Sequence, residues 1–150
     1  MLTLLLFLAV ASSPVVHLSG PSGDKQLTAT QIAALPRTTV TISDHGTNAT
    51  FEGTELANLL TMVGVPAGEK LRGKELTGYV MIEAADGYHA LFALPEADPA
   101  FAERKIILAD KRDGKPLSEK EGPFRIVVER EKRQARCVRQ VTRIVVGHAR

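Results

Sequence analysis

The stretch Gly122–Val146, GPFRIVVEREKRQARCVRQVTRIVV, concentrates the residues best suited to chemistry. Two β-prone segments, Phe124–Val128 and Val141–Val146, bracket a basic connector containing Arg130, Lys132, Arg133, Arg136 and Arg139, together with the sole cysteine, Cys137. Guanidinium groups present several fixed donors that match phosphate and carboxylate oxygens, so Arg125, Arg133, Arg136, Arg139 and Arg143 are candidates to line an anion pocket. Cys137 could act as a thiol nucleophile if Arg136 and Arg139 share its space. The neighbouring Val138 and Val141 favour a different reading, in which it is a small buried hydrophobe. Ser43, Asp44 and His45 are consecutive, a poor arrangement for a hydrolytic triad, whose members come from separate elements. Asp44-His45-Gly46 at a strand end could still project His45 into a cleft, and an ordinary turn accounts for it equally well.

Other chemistries find little support. The histidines, His17, His45, His89 and His148, are dispersed, and with one cysteine they do not form the compact ligand set that zinc requires, so no protein-ligated metal is expected. No Gly-rich phosphate loop links a strand to a helix. Nucleic acid is not an expected partner, because the basic segment has only Phe124 for base stacking.

The 150 residues suffice for one domain with its own core, and the domain is expected to span 15–150. The net charge of +2 hides an asymmetry: residues 1–100 carry 5 Lys+Arg against 10 Asp+Glu, and residues 101–150 carry 14 against 7. An anionic ligand is therefore expected at the C-terminal third, although a solvated charged surface would have the same composition. Met1–Ala11 is an apolar run too short to span a bilayer and ends in Ala9-Val10-Ala11, the small-x-small pattern of a secretory signal. No Lys or Arg precedes the run, so an uncleaved anchor or a misplaced start remain alternatives. Export implies no internal disulfide here, since there is one cysteine.

The elements that must position these residues are mostly strands. Val15–Leu18 predicts a short strand ended by Gly20-Pro21-Ser22-Gly23, and Thr28 with Gln31 predicts a capping box opening a short helix that Pro36 stops. Arg37–Ser43 is β-branched and alternating, hence a strand running into the polar loop 44–48. Ala49–Glu52 predicts another, and Thr54 is placed to cap a helix carrying Leu56, Leu59, Leu60 and Val63, closed by Gly64 and Pro66. Tyr79–Ala84 and Tyr88–Ala93 around Asp86-Gly87 predict a hairpin. Asp98-Pro99 could cap one helical turn, and Ile106–Ala109 predicts a buried strand before the turn 110–116. The expected fold class is α+β, a mixed β-sheet domain with short helices packed on it.

In the order and spacing of LTATQIAALP, VTIS, FEGTELANLLTMVGVP, YVMIEAADGYHALFALPE, LADKRDGKPLS and the closing basic segment, the chain resembles the molybdopterin-binding oxidoreductase domain of the sulfite oxidase type, in a short exported bacterial form. The resemblance covers about Leu27 to Val146. It implies a pterin-phosphate site drawing on Arg125, Arg133 and Arg136, with Arg112 and Lys115 contributing from the preceding turn and His45 in the loop that approaches the metal. Full members of the family hold molybdenum through a cysteine thiolate expected just after VTIS, where this chain reads Ser43-Asp44-His45-Gly46. Two functions follow from that departure: a domain binding a small anionic ligand, a pterin or a protein partner in the periplasm without thiolate-ligated molybdenum, or a molybdopterin-dependent oxidoreductase or small subunit with altered metal ligation and a periplasmic or membrane redox partner. A structural domain with a vestigial cleft is the third.

Overall fold

The computed structural model describes residues 13–150; the expected secretory segment Met1–Ala11 lies outside them. Among the described residues, ten strands and three short α-helices follow in the order β1 (Val15–Gly20), β2 (Gly23–Thr28), α1 (Ala29–Ala33), β3 (Thr38–Asp44), β4 (Thr47–Glu55), α2 (Leu56–Met62), β5 (Gly78–Ala84), β6 (His89–Ala93), α3 (Leu94–Ala97), β7 (Ile106–Arg112), β8 (Lys115–Pro116), β9 (Arg125–Val128) and β10 (Val141–His148). One sheet runs β2-β1-β10-β5-β6, with β1 and β10 parallel and the other pairs antiparallel. The other runs β3-β4-β7-β8, with β9 also paired to β7. This is the expected α+β class.

The local signals act as their chemistry dictates. Thr28 Oγ1 accepts from Gln31 N at 3.2 Å and Thr28 N donates to Gln31 Oε1 at 2.9 Å, closing the capping box of α1. Helix α2 buries Leu56, Leu59 and Leu60, and Gly64 follows it at φ 83°. Thr54, however, does not cap that helix. It is a fully buried residue of β4 whose hydroxyl accepts from Asn58 Nδ2 at 3.1 Å, and the cap position falls to Glu55 with no side-chain bond. The polar loop after β3 is shorter than expected: His45 (φ 51°) and Gly46 (φ 83°) make a tight hairpin turn, and Thr47 and Asn48 already belong to β4. In the β5–β6 connection only Gly87 has positive φ, because the loop is one residue longer than a two-residue turn, with Ala84 N bonded to Tyr88 O. Asp98 opens a single helical turn, with Phe101 N and Ala102 N donating to Asp98 O at 2.9 and 3.0 Å, and its carboxylate accepts from the backbone of Ala100 and of Gly68, each at 2.8 Å.

Two apolar cores lie on opposite faces of the second sheet. The larger takes Val16, Val80, Ile82 and Phe92 from the first sheet, the α2 leucines, and Leu108 and Ile126 from the second. The smaller holds Val40, Ala49, Phe51, Ile107, Ala109 and Val127. Strand parity decides which side chains share the smaller core: alternation puts Asp44 of β3 on the face of Val40, and Arg125 of β9 on the face of Val127. Arg112 reaches the same face through an irregularity. Glu52 pairs with Lys111 but Gly53 with Ala109, so Asp110 is an extra residue that reverses the alternation and sets Arg112 opposite Phe51.

Candidate functional site

At the end of the smaller core, Asp44, Glu121, Arg112 and Arg125 form a compact set of two carboxylates and two guanidiniums. Arg125, 1% exposed, donates from Nη1 to Glu121 Oε1 at 2.6 Å, from Nη2 to Asp44 Oδ1 at 3.2 Å and to Gln134 Oε1 at 3.1 Å. Arg112 donates from Nη1 to Asp44 Oδ2 at 2.5 Å and to Glu121 Oε1 at 2.9 Å. Both guanidiniums stack on Phe51, 5.3 Å from the ring centre for Arg112 and 4.9 Å for Arg125. Burial pushes the Asp44 carboxyl up, but the Arg125 and Arg112 guanidiniums outweigh it and hold the group at about 2. The charges therefore balance within the set. Among the described residues, the only buried side-chain polar atom without a partner is Arg125 Nε.

A cleft of about 620 Å³ opens beside this set. Arg125, Gln134 and Cys137 contribute to its wall, with His45, Lys120 and Arg139 as the further basic groups and Asp86 as the acidic one. Gln134 ties its sides together: the side-chain amide donates to Ser43 O while its carbonyl accepts from Arg125. The Tyr88 hydroxyl bonds Ala135 O, fastening the β5–β6 hairpin to the short 3₁₀ turn Gln134–Arg136. His45 Nε2 lies 3.2 Å from Arg139 Nη2 and 3.9 Å from Asp44 Oδ1. Arg139 carries no carboxylate partner among the described ion pairs, so its charge faces the cleft less compensated than that of Arg125. Cys137 is 5% exposed, and burial pushes its thiol up, so it stands in the wall as a neutral S–H.

The fold brings together only part of the sequence's candidate set. His45 and Arg125 meet at the cleft, and Arg139 joins them. Arg112 lies behind, in the ion set. Lys115 is exposed on β8, and Arg133 is exposed at the start of the 3₁₀ turn, both outside the cleft. Arg143 projects from β10 and lies 3.7 Å from Glu83. Arg136 is held elsewhere: its guanidinium sits 4.4 Å from the centre of the Phe92 ring and pairs with Glu131 at 2.8 Å and Glu96 at 3.2 Å, in a network that includes Arg104. Burial pushes the Glu131 carboxyl up, and Arg136 and Arg104 bring it below the usual carboxylate range. Arg136→Ala is expected to lower stability by about 1–2 kcal/mol, discounted for partial exposure, and to leave phosphate affinity unchanged. A tenfold loss of affinity in a binding titration would instead place Arg136 in the ligand site. Lys120, Gln134 and Gln140 line the cleft without any local sequence signal that marks them. Glu121, four residues before Arg125, was the one local hint of a counterion.

The arrangement of two sheets and the site at their loops defines an α+β fold of the sulfite oxidase type. It superposes on a chain of the sulfane dehydrogenase SoxCD from Paracoccus pantotrophus with a TM-score of 0.67 and 19% identity, covering 89% of this chain and 38% of that one. The protein thus spans well under half of that relative's length. No curated protein matches the sequence. Residues 22–150 match the oxidoreductase molybdopterin binding domain family, and the chain belongs to that family.

The donor chemistry of the cleft suits one part of a molybdopterin group better than another. The exposed Lys120 and Arg139 are the donors that suit a phosphate. A thiolate-held metal does not fit, because the single cysteine is kept protonated by burial and the end of β3 supplies Asp44, already bound by two arginines.

Proposed function

We propose that this domain binds a small organic anion, a pterin phosphate or a ligand of similar charge, in the cleft lined by His45, Lys120 and Arg139, without thiolate-ligated molybdenum. The observation that carries the reading is the division of labour among the basic groups. Arg112 and Arg125 are neutralised by Asp44 and Glu121, whereas Lys120 and Arg139 leave a positive excess on a cleft wall whose one acidic residue is Asp86. The ion set acts as a rigid backing that preorganises the cleft, and the anion exchanges water for Arg139 and Lys120 donors. Export to the periplasm belongs to the same proposal and is supported by the apolar run Met1–Ala11.

The alternative is a molybdopterin-dependent oxidoreductase, or its small subunit, with altered metal ligation and a redox partner, a reading that family membership supports. Metal analysis of protein from a molybdenum-replete host separates the two, since stoichiometric molybdenum supports the enzyme and sinks the first reading. For the anion site, calorimetric titration with inorganic phosphate is expected to show binding that weakens at least about tenfold in Arg139→Ala, corresponding to one charge-assisted hydrogen-bonded contact. Equal affinities in the two proteins would refute the site.

A further inference from the structure

A second cleft, of about 510 Å³, adjoins the first along β10 and the β5–β6 hairpin. Gln140 lines both, Ala84 lines the first and its neighbour Ala85 the second, and Val141 continues the second from Gln140. Their chemistry differs. The first carries Lys120, Arg139 and His45 against the single acid Asp86; the second has no charged residue among its described lining and is walled by Pro14, Val15, Ala85, Pro123, Val141 and Thr142.

The boundary between them is held firmly. Gln140 adopts φ 51°, a left-handed conformation that an L residue keeps only where its surroundings impose it, and such residues gather at ligand sites. Three hydrogen bonds impose it: Gln140 N donates to Glu121 O at 2.8 Å, Ala85 N donates to Gln140 O at 3.0 Å, and Gln140 Nε2 donates to Glu119 O at 2.8 Å. The same contacts fix Ala85 beside Gln140, so the step from the charged to the neutral cleft is a property of the backbone.

We infer that the two clefts form one bipartite site for an elongated amphiphilic anion, an oxyanion head with an apolar arm, the head at Arg139 and Lys120 and the arm lying across Gln140 against Pro14, Val15 and Val141. This rests on the anion-binding reading of the first cleft and extends it to the ligand's body. The occupant of the neutral cleft follows from its continuity with the charged one: a ligand anchored by its head places any attached carbon chain over Ala85 and Val141, where burial is favourable. A purely polar anion gains nothing there, since the lining offers few side-chain hydrogen-bonding groups beyond Ser13, Thr142 and the engaged Gln140.

The test compares inorganic phosphate with monohexyl phosphate by calorimetry on the purified chain and on two variants. The wild-type protein is expected to bind hexyl phosphate at least about tenfold more tightly than phosphate, the gain from burying two or more methylene groups. Ala85→Gln, a neutral polar side chain at an exposed position whose backbone bond is unaffected, is expected to erase that gain and leave phosphate affinity unchanged. Arg139→Ala weakens both ligands. If phosphate binds through Arg139 but hexyl phosphate binds no more tightly, or its gain survives Ala85→Gln, the bipartite site is overturned while the anion site stands. If neither ligand binds, both fall.

Discussion

Replacing Arg125 with leucine is expected to cost about 3–5 kcal/mol, a large share of the roughly 5–15 kcal/mol that holds a domain of this size. The side chain is fully buried, and its removal leaves Asp44 and Glu121 in the protein interior with Arg112 alone to balance them. Urea denaturation at neutral pH measures the loss; a change under about 1 kcal/mol would show that the set is not a buried charge network. Restoring the charge balance should help, so Arg125→Leu combined with Asp44→Asn is expected to recover at least about 1 kcal/mol over the single variant. The same set makes the protein acid-sensitive in a definite interval. Asp44 is held at about 2 against an ordinary 3.8, so its folded form binds a proton less readily than its unfolded form. Its stabilisation, of order 2 kcal/mol, is present above about pH 4 and is lost as pH falls towards about 2. In Arg125→Leu the carboxyl loses its largest opposing charge, and stability is expected to fall less steeply across that interval. An unchanged acid slope would assign the wild-type loss to other carboxylates, Glu131 among them.

Gly53→Ala is expected to cost about 3 kcal/mol or more, because the added carbon meets backbone rather than a movable side chain. A Cβ at this position would lie far inside contact distance of Leu108 O and 2.6 Å from Ala109 Cα. The close approach of β4 and β7 at Gly53 accompanies the extra residue at Asp110, which turns Arg112 towards Phe51. Strain there reaches the site through two strands: β7 carries Arg112, and its neighbour β9 carries Arg125. Thermal unfolding of the variant, with phosphate titration on whatever remains folded, checks both consequences. A variant as stable as the parent would mean that the strands separate at little cost.

Much of the architecture was legible because it is written in local chemistry. The Thr28–Gln31 box, the α2 leucine repeat with Gly64 behind it, and the alternation of the strands each depend on residues a few positions apart. A local signal misleads where it has a tertiary competitor. Thr54 has the right type for a helix cap, but it is drawn into β4 by pairing with Leu108, and its hydroxyl serves Asn58 instead. Strand β2 has no local signal, because its exposed, charged residues Asp24 and Lys25 lack an apolar alternation; pairing with β1 makes it a strand.

For the site, the order of residues sets the stock of basic groups, their concentration in the last third, the family pattern and the lack of a cysteine after β3. It could not assign those groups to roles. Arg125 and Arg112 resemble Arg139 in type and neighbourhood, and only the fold gives the first two Asp44 and Glu121 as partners and leaves the third at the cleft. The reason is that a charge acts through what lies within a few ångströms of it, and the decisive separations span 81 residues for Arg125–Asp44 and 94 for Arg139–His45. Strand parity and one extra residue at Asp110 set those distances.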